Sequence, residues 1–323
     1  MKSIVRAMRL TLALLGLCAG QAMAFDLQGH RGARGLAPEN TLAGFRQALA
    51  VGVTTLELDV GVTADGQVVI AHDPRLNPDL TRDAQGAWLS APGPALNTLT
   101  LAELQRFDVG RLKPGTRYAQ TFAAQRGVDG ERVPTLAALF DLVRAAGDDT
   151  VRFNIETKLS PLAPELAPAP EAFAQAVLEV VRRHGMAGRV TVQSFDWRSL
   201  RAVQKLAPGL PIAALTARLQ AIDNLGDARW TGGLRLEDHG GSVPRLVKTL
   251  GAAVWSPFHG ELTEAQLAEA HALGLQVVPW TVNEPAAIDR LVGWGVDGLI
   301  SDHPERVREA LARRGVALPP PLR

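Results

Sequence analysis

Eight short apolar runs alternate with helical stretches along this 323-residue chain, and that alternation constrains the fold more than anything else in it. The runs cover residues 26–30, 54–59, 151–156, 189–193, 211–215, 252–255, 276–280 and 298–301. Between them, 41–50, 136–145, 171–184, 197–206, 244–250, 264–273 and 285–294 mostly carry apolar residues at three- and four-residue spacing, as an amphipathic helix does. A strand that returns parallel to its predecessor needs a crossover of about a dozen residues or more, usually a helix. Repeated strand-helix units therefore predict a parallel sheet, and eight of them predict an α/β fold closed as a (β/α)8 TIM barrel.

A ninth run, 68–72, follows the second too closely for a crossover helix. Asp65-Gly66 just before it is a strong two-residue hairpin signal, so this run is expected to fold back antiparallel on the second strand. With Asp65 and Gly66 as the loop, Ala64 faces Gln67 and Asp59 faces His72. Residues 74–134, rich in Pro, Gly, Asn and Asp, are too long for an ordinary loop and are expected to form an insertion on the rim, with some helix near 100–106. The Pro- and Ala-rich stretch 161–170 reads as a loop after the third barrel strand.

At the N-terminus, Lys2, Arg6 and Arg9 precede an apolar run at 10–19, and Ala22-Met23-Ala24 has the small-x-small spacing of a secretory cleavage site. The expected division is a signal peptide at 1–24 and one barrel domain at 25–323, with a periplasmic or secreted location. The apolar run falls short of the roughly 18 to 20 residues of a membrane span, so no stable membrane insertion is expected after cleavage. Cleavage would remove three positive charges and move the formal net charge from +1 to −2, leaving no basic patch for nucleic acid. The single cysteine, Cys18, would leave with the signal, which excludes thiol chemistry and cysteine-ligated zinc.

Four charged clusters close or follow strand runs: His30-Arg31-Gly32, Glu57-Leu58-Asp59, His72-Asp73 and Glu156-Thr157-Lys158. Strand alternation puts Glu57 and Asp59 on one face, and Asn154, Glu156 and Lys158 on another shared face. Bare carboxylates in a barrel carry a large desolvation cost unless a cation compensates. Glu57, Asp59 and Glu156 suit a hard divalent ion, Mg²⁺ or Ca²⁺; equally, Arg31 and Lys158 could neutralise them in a salt-bridge set. His30 and His72 are the acid-base candidates, because imidazole titrates near neutrality. Arg31 and Lys158 could also bind a substrate phosphate. Trp280 and Gln193 are expected to line the substrate pocket, with Phe195 and His259 as further lining. Asn40 or Thr41 should cap the first helix, and Glu39 or Asn40 could orient the site. Gly29, Gly32 and Gly35 lack the dinucleotide-binding spacing and are expected to permit a tight bend.

Taken together, HRG at 30–32, PENT at 38–41, ELDVGVTADGQVVIAHD at 57–73, NIETK at 154–158, WTVN at 280–283 and DGLISD at 297–302 resemble the glycerophosphodiester phosphodiesterase family, in that order. The resemblance runs from His30 to Pro304. It implies a (β/α)8 barrel with an insertion, His30 and His72 as catalytic acid and base, Glu57, Asp59 and Glu156 as metal ligands, and Arg31 and Lys158 as phosphate or substrate contacts. The implied reaction is hydrolysis of small glycerophosphodiesters, such as glycerophosphocholine or glycerophosphoethanolamine, to glycerol 3-phosphate and an alcohol. Two rivals stand beside it. A related barrel phospholipase or sphingomyelinase D type would act on intact phospholipid, but the insertion shows no strongly amphipathic cationic helix. A phosphodiester-binding protein without turnover would have no need of two histidines.

Overall fold

The computed structural model describes residues 25–322; the expected signal peptide at 1–24 lies outside them. The chain runs β1 (Asp26–Gly29), α1 (Leu42–Val51), β2 (Thr55–Val62) and β3 (Val68–Ile70), then through the insertion with α2 (Leu101–Leu104) and α3 (Arg117–Thr121). It continues α4 (Leu136–Ala145), β4 (Arg152–Thr157), α5 (Pro170–Arg183), β5 (Val190–Ser194), α6 (Trp197–Leu206) and β6 (Ile212–Thr216). A small hairpin, β7 (Arg218–Leu219) and β8 (Ile222–Asp223), precedes α7 (Val243–Leu250). Then follow β9 (Val254–Pro257), α8 (Glu264–Ala272), β10 (Gln276–Val277), α9 (Pro285–Trp294), β11 (Gly298–Ser301) and α10 (Pro304–Arg313).

Eight parallel strands lie in the order β10-β9-β6-β5-β4-β2-β1-β11. The seam between the first and last is bridged by backbone hydrogen bonds from Asp297 N to Val277 O, Ile300 N to Pro279 O and Val282 N to Ile300 O. The result is a nearly closed (β/α)8 TIM barrel, as the alternation predicts. Helices pack outside on apolar stripes; α5, for example, buries Phe173, Ala174, Val177, Leu178 and Val181 at helical spacing. The eighth crossover helix, α10, was not among the predicted helices, although Pro304 at its first turn is a typical helix start. Among the described residues no helix is long and apolar enough to cross a membrane.

Two expectations need correction. The strand predicted over 276–280 ends as a regular ladder at Val277, because Pro279 has no N–H to donate, although the extended chain continues through the bonds from Val278 N to Trp255 O and Trp280 N to Pro257 O. The β2–β3 hairpin forms, but its register is shifted by one: Val60 pairs with Ile70 and Gly61 with Val69. The turn holds three residues, since Thr63 N donates to Gln67 O at 3.0 Å and Thr63 Oγ1 accepts from Gln67 N at 2.9 Å. Asp65 is thereby freed to receive Leu101 N at 3.0 Å, which fastens the insertion to the turn. Ala71, not His72, is bonded beside Asp59, through Ala71 N to Asp59 O.

The insertion builds a small core of its own from Leu76, Leu96, Leu104 and Val133 against Val69. Its end returns to the hairpin, where Ile70 N donates to Pro134 O. Alternation in β3 explains the division: Val68 and Ile70 face the barrel core while Val69 faces the insertion.

Candidate active site

The site sits at the carboxyl ends of the barrel strands, and its floor is a row of amides. Asn154 on β4 donates its Nδ2 to Gln28 Oε1 at 2.8 Å and to Gln193 Oε1 at 2.9 Å. Gln193 on β5 then donates Nε2 to Glu57 Oε1 at 2.7 Å, so a residue expected to line the pocket also fixes a carboxylate. The register aligns Glu57 with Asn154 and Asp59 with Glu156 on neighbouring strands. Oxygens of Glu57, Asp59 and Glu156 consequently lie within 4.8 Å of one another, all buried.

The β1–α1 segment wraps around this triad in an unusual backbone. Arg31 and Asn40 both have positive φ, 51° and 53°, where a residue with a side chain pays a steric cost of about 1–2 kcal/mol. Gly32, at φ 87°, has no alternative, because a Cβ there would sit 2.8 Å from the backbone carbon of Gly44 on α1. The bend is repaid at the site. Arg31 N donates to Glu57 Oε2 at 2.8 Å, and its guanidinium sits 3.2 Å from Asp59 and 2.8 Å from Glu39. Thr41 caps α1 by accepting from Gly44 N at 3.0 Å. With the cap filled by its neighbour, Asn40 donates Nδ2 to Asp59 Oδ2 at 2.9 Å.

Two histidines flank the triad, each held through Nδ1 by an aspartate. His30 is 2.6 Å from Asp302 Oδ1, and its Nε2 lies 3.9 Å from Glu57. Asp302 also takes Arg34 Nε at 2.8 Å and Asn283 Nδ2 at 2.7 Å. His72 is 2.8 Å from Asp73 Oδ1, and Asn77 from the insertion donates to the other oxygen of Asp73 at 2.7 Å. Lys158 Nζ donates to Glu156 at 2.8 Å and lies 3.6 Å from Asp59. Tyr118 on α3 donates its hydroxyl to Glu39 and receives Arg34 Nη1 at 3.1 Å, so the insertion also braces the arginines. Trp280 stands edge-on to Phe195 at 5.3 Å, its indole N–H given to Ser256 O. His259, expected as further pocket lining, instead packs on Phe258 behind Trp280, 4.9 Å between ring centres, and does not line the catalytic cavity. A cavity of about 200 Å³ opens over the triad between His30, Arg34, His72, Lys158, Trp280 and Thr281.

A model of the glycerophosphoryl diester phosphodiesterase family matches residues 30–306, which span both histidines and all three carboxylates. The chain belongs to that family. It is a family of phosphoric diester hydrolases. A glycerophosphodiester phosphodiesterase from Caldanaerobacter subterraneus subsp. tengcongensis is 30% identical, the match covering 88% of this chain and 97% of the relative. One from Bacillus subtilis is 29% identical over 85% of this chain and 83% of the relative. A crystal structure of a candidate glycerophosphoryl diester phosphodiesterase from Silicibacter pomeroyi superposes with a TM-score of 0.82 at 38% identity, covering 93% of this chain and 97% of the other.

In this family member the electrostatics of the triad are unbalanced by the protein alone. Burial raises Glu57 well above the usual carboxylate range, and the adjoining Asp59 and Glu156 charges raise it further. Burial also pushes Glu156 up to about 7, with Lys158 opposing and Asp59 reinforcing the shift. Asp59 goes the other way: burial would raise it, but Arg31, then His72 and Lys158, hold it well below the usual range. Its Oδ1 is nonetheless buried without a hydrogen-bond partner among the described residues. An orphaned carboxylate oxygen facing two proton-hungry carboxylates fits a hard divalent cation, which takes oxygen ligands and removes the like-charge repulsion. Arg31 and Lys158 do pair with the triad, as the salt-bridge alternative expects, but Lys158 stands 3.6 Å from that oxygen without a hydrogen bond to it, and Glu57 stays raised.

The site also uses residues that the sequence reading left without a role. Asp302 and Asn283 stand out in the sequence only as parts of motifs, and Arg34, Asn77 and Tyr118 carry no signal there. A signal for Asp302 existed: it directly follows the last barrel strand, at the catalytic end of a barrel.

Proposed function

We propose that this protein hydrolyses glycerophosphodiesters to glycerol 3-phosphate and an alcohol, with Glu57, Asp59 and Glu156 holding Mg²⁺ or Ca²⁺ and His30 and His72 acting as the acid-base pair. The observation that carries this reading is the buried triad flanked by two histidines, each with Nδ1 engaged by a carboxylate. An ionised aspartate only accepts, so Nδ1 carries the proton and Nε2 is left as the working nitrogen on both rings. A bound cation would stabilise negative charge on the phosphoryl oxygens. Arg31 and Lys158 add fixed positive charge beside that position. In the net reaction one P–O bond to the leaving alcohol breaks and a water oxygen ends on phosphorus. One imidazole enters neutral, with Nε2 free, and takes the proton from the attacking oxygen; the other must enter as imidazolium, protonated on Nε2 as well as Nδ1, and gives that proton to the leaving alkoxide, so the pair resets by exchanging one proton with solvent. A binder without turnover would gain nothing from two such oriented imidazoles.

We also propose that residues 1–24 are a cleaved leader and that the enzyme works in the periplasm or outside the cell, on the strength of the basic, apolar and small-x-small segments in order. The decisive assay incubates purified protein with glycerophosphocholine, glycerophosphoethanolamine or intact phospholipid, with Mg²⁺, Ca²⁺ or a chelator, and measures glycerol 3-phosphate. Release from the two small diesters that is abolished by chelator is expected. Release that survives chelation overturns the cation role, and cleavage of intact lipid alone overturns the substrate class.

A further inference from the structure

The cavity over the triad has a second lobe that differs in character. It encloses about 170 Å³ and shares His72, Glu156, Lys158 and Phe195 with the catalytic cavity. The rest of its wall is mainly apolar, formed by Leu159, Ala163 and Leu166 from the Pro- and Ala-rich loop after β4 and by Ile222 and Trp230 from the segment after β6. Neither segment belongs to the motifs that build the catalytic centre. The loop is tied to the insertion, where Asn97 donates Nδ2 to Glu165 O at 2.8 Å. Trp230 is buried, and its carbonyl accepts from Trp197 N at the start of α6.

Two groups leave a phosphodiester in opposite directions, and the two lobes differ in what they can solvate. The catalytic lobe offers Arg34, Gln193 and Thr281, which suit a glycerol with two hydroxyls. Beyond the catalytic groups it shares, the second lobe offers one polar side chain, Ser160, whose hydroxyl already accepts from Leu162 N at 3.1 Å. Its size is comparable to an apolar protein cavity of about 150 Å³ that holds a benzene ring. A quaternary ammonium group would also like aromatic walls, but Lys158 Nζ already stands 5.9 Å over the Phe195 ring and repels a second cation. Glu156 offers that cation little in return, since its charge is engaged by Lys158.

Building on the function proposed above, we infer that this lobe receives the leaving alcohol and selects diesters whose alcohol carries a neutral hydrocarbon group, alkyl or aryl, over those with a cationic head group. Leu166, Ile222 and Trp230 are then specificity-determining residues, and the leaving oxygen lies on the His72 side of the site.

The test compares glycerophosphocholine with its carbon isostere, glycerophospho-3,3-dimethylbutanol, alongside glycerophosphoethyl, -butyl and -hexyl diesters, by kcat/KM on the wild-type protein. The neutral isostere should be favoured about tenfold over choline. The alkyl series should rise by about threefold to fourfold per methylene until the lobe is filled. Leu166→Asp, or Ile222→Asp, each at a half-buried position, should shrink the preference for the isostere toward parity by giving the lobe a negative charge. A flat or falling alkyl series, or an equal or greater kcat/KM for choline, overturns the inference, and so does a preference that the aspartate variants leave intact. If glycerophosphoethanolamine is cleaved while these results fail, the inference falls and the function stands; if no glycerophosphodiester is cleaved, both fall.

Discussion

His30 and His72 are tied to aspartates in the same way, yet they stand in contrasting surroundings. His30 is 12% exposed, and its partner Asp302 is 2% exposed and shared with Arg34 and Asn283 across the β1–β11 seam. His72 is 31% exposed, its partner Asp73 is 36% exposed, and among the described residues the one further side-chain bond to Asp73 comes from Asn77 of the insertion. One dyad belongs to the barrel and the other to what was added to it. Orientation of an imidazole is therefore achieved twice, once by a buried charge network that the fold cannot lose cheaply, and once by a rim contact that costs little to change.

The largest effect should come from the imidazoles themselves. His30→Ala and His72→Ala are each expected to lower kcat by about a hundredfold or more, given the usual contribution of general acid-base catalysis. Rates of glycerol 3-phosphate release by the two variants check this, and near-normal turnover in either would break the symmetry of roles. The next effect should separate the dyads. Asp302→Asn removes the charge that balances buried Arg34 and should cost about 3–5 kcal/mol of stability together with a loss of tens of fold in kcat. Asp73→Asn should lower kcat by about tenfold and leave the unfolding free energy within about 1 kcal/mol of wild type, as partly exposed pairs do. Urea denaturation of both variants decides; equal destabilisation would mean that the rim dyad is as structural as the barrel one.

The barrel dyad was the harder of the two to read. Strand alternation brought Glu57, Asp59 and Glu156 together correctly, because a side-chain period of two is a local property and parallel register follows from it. The fold was legible for the same reason: α4, α6 and α9 lie where the apolar spacing predicts them. What stayed hidden was set by contacts between distant segments. Asp302 reaches His30 only because β11 pairs with β1, 272 positions apart in the chain. The hairpin slipped by one residue from the expected pairing because Thr63 closes a three-residue turn whose Asp65 also binds Leu101 of the insertion. No periodicity in β2 or β3 reports that tertiary contact. Gln193 pointed inward as alternation requires, but its bond to Glu57 depends on the amide row beneath the triad.

The finest distinction between the dyads is in proton affinity, in metal-free protein. Burial, with Arg34 adding to it, pushes His30 down to about 4 against the opposing pull of Asp302. His72 is also lowered, by burial first and then by Arg31 and Lys158. In metal-free protein both shifts favour the neutral ring. The stability consequence has a definite sign. A histidine depressed in the folded state binds its proton more readily when unfolded, so its contribution is full above about 6.5 and is lost as the pH falls toward 4. Glu156, raised to about 7, works in reverse: its contribution is full below about 4.5 and is lost as the pH rises through 7. The chelated protein should accordingly show a shallow stability maximum between these limits, and an added divalent cation should stabilise it more at pH 8 than at pH 5, where protons compete for the triad. Imidazole NMR titration separates the two rings directly. In Arg34→Met the His30 midpoint should move upward while His72 holds its place, because Arg34 contributes to the depression of the first ring and not to that of the second. Movement of both midpoints together would show that the dyads share one electrostatic environment, and the contrast between barrel and rim would fail.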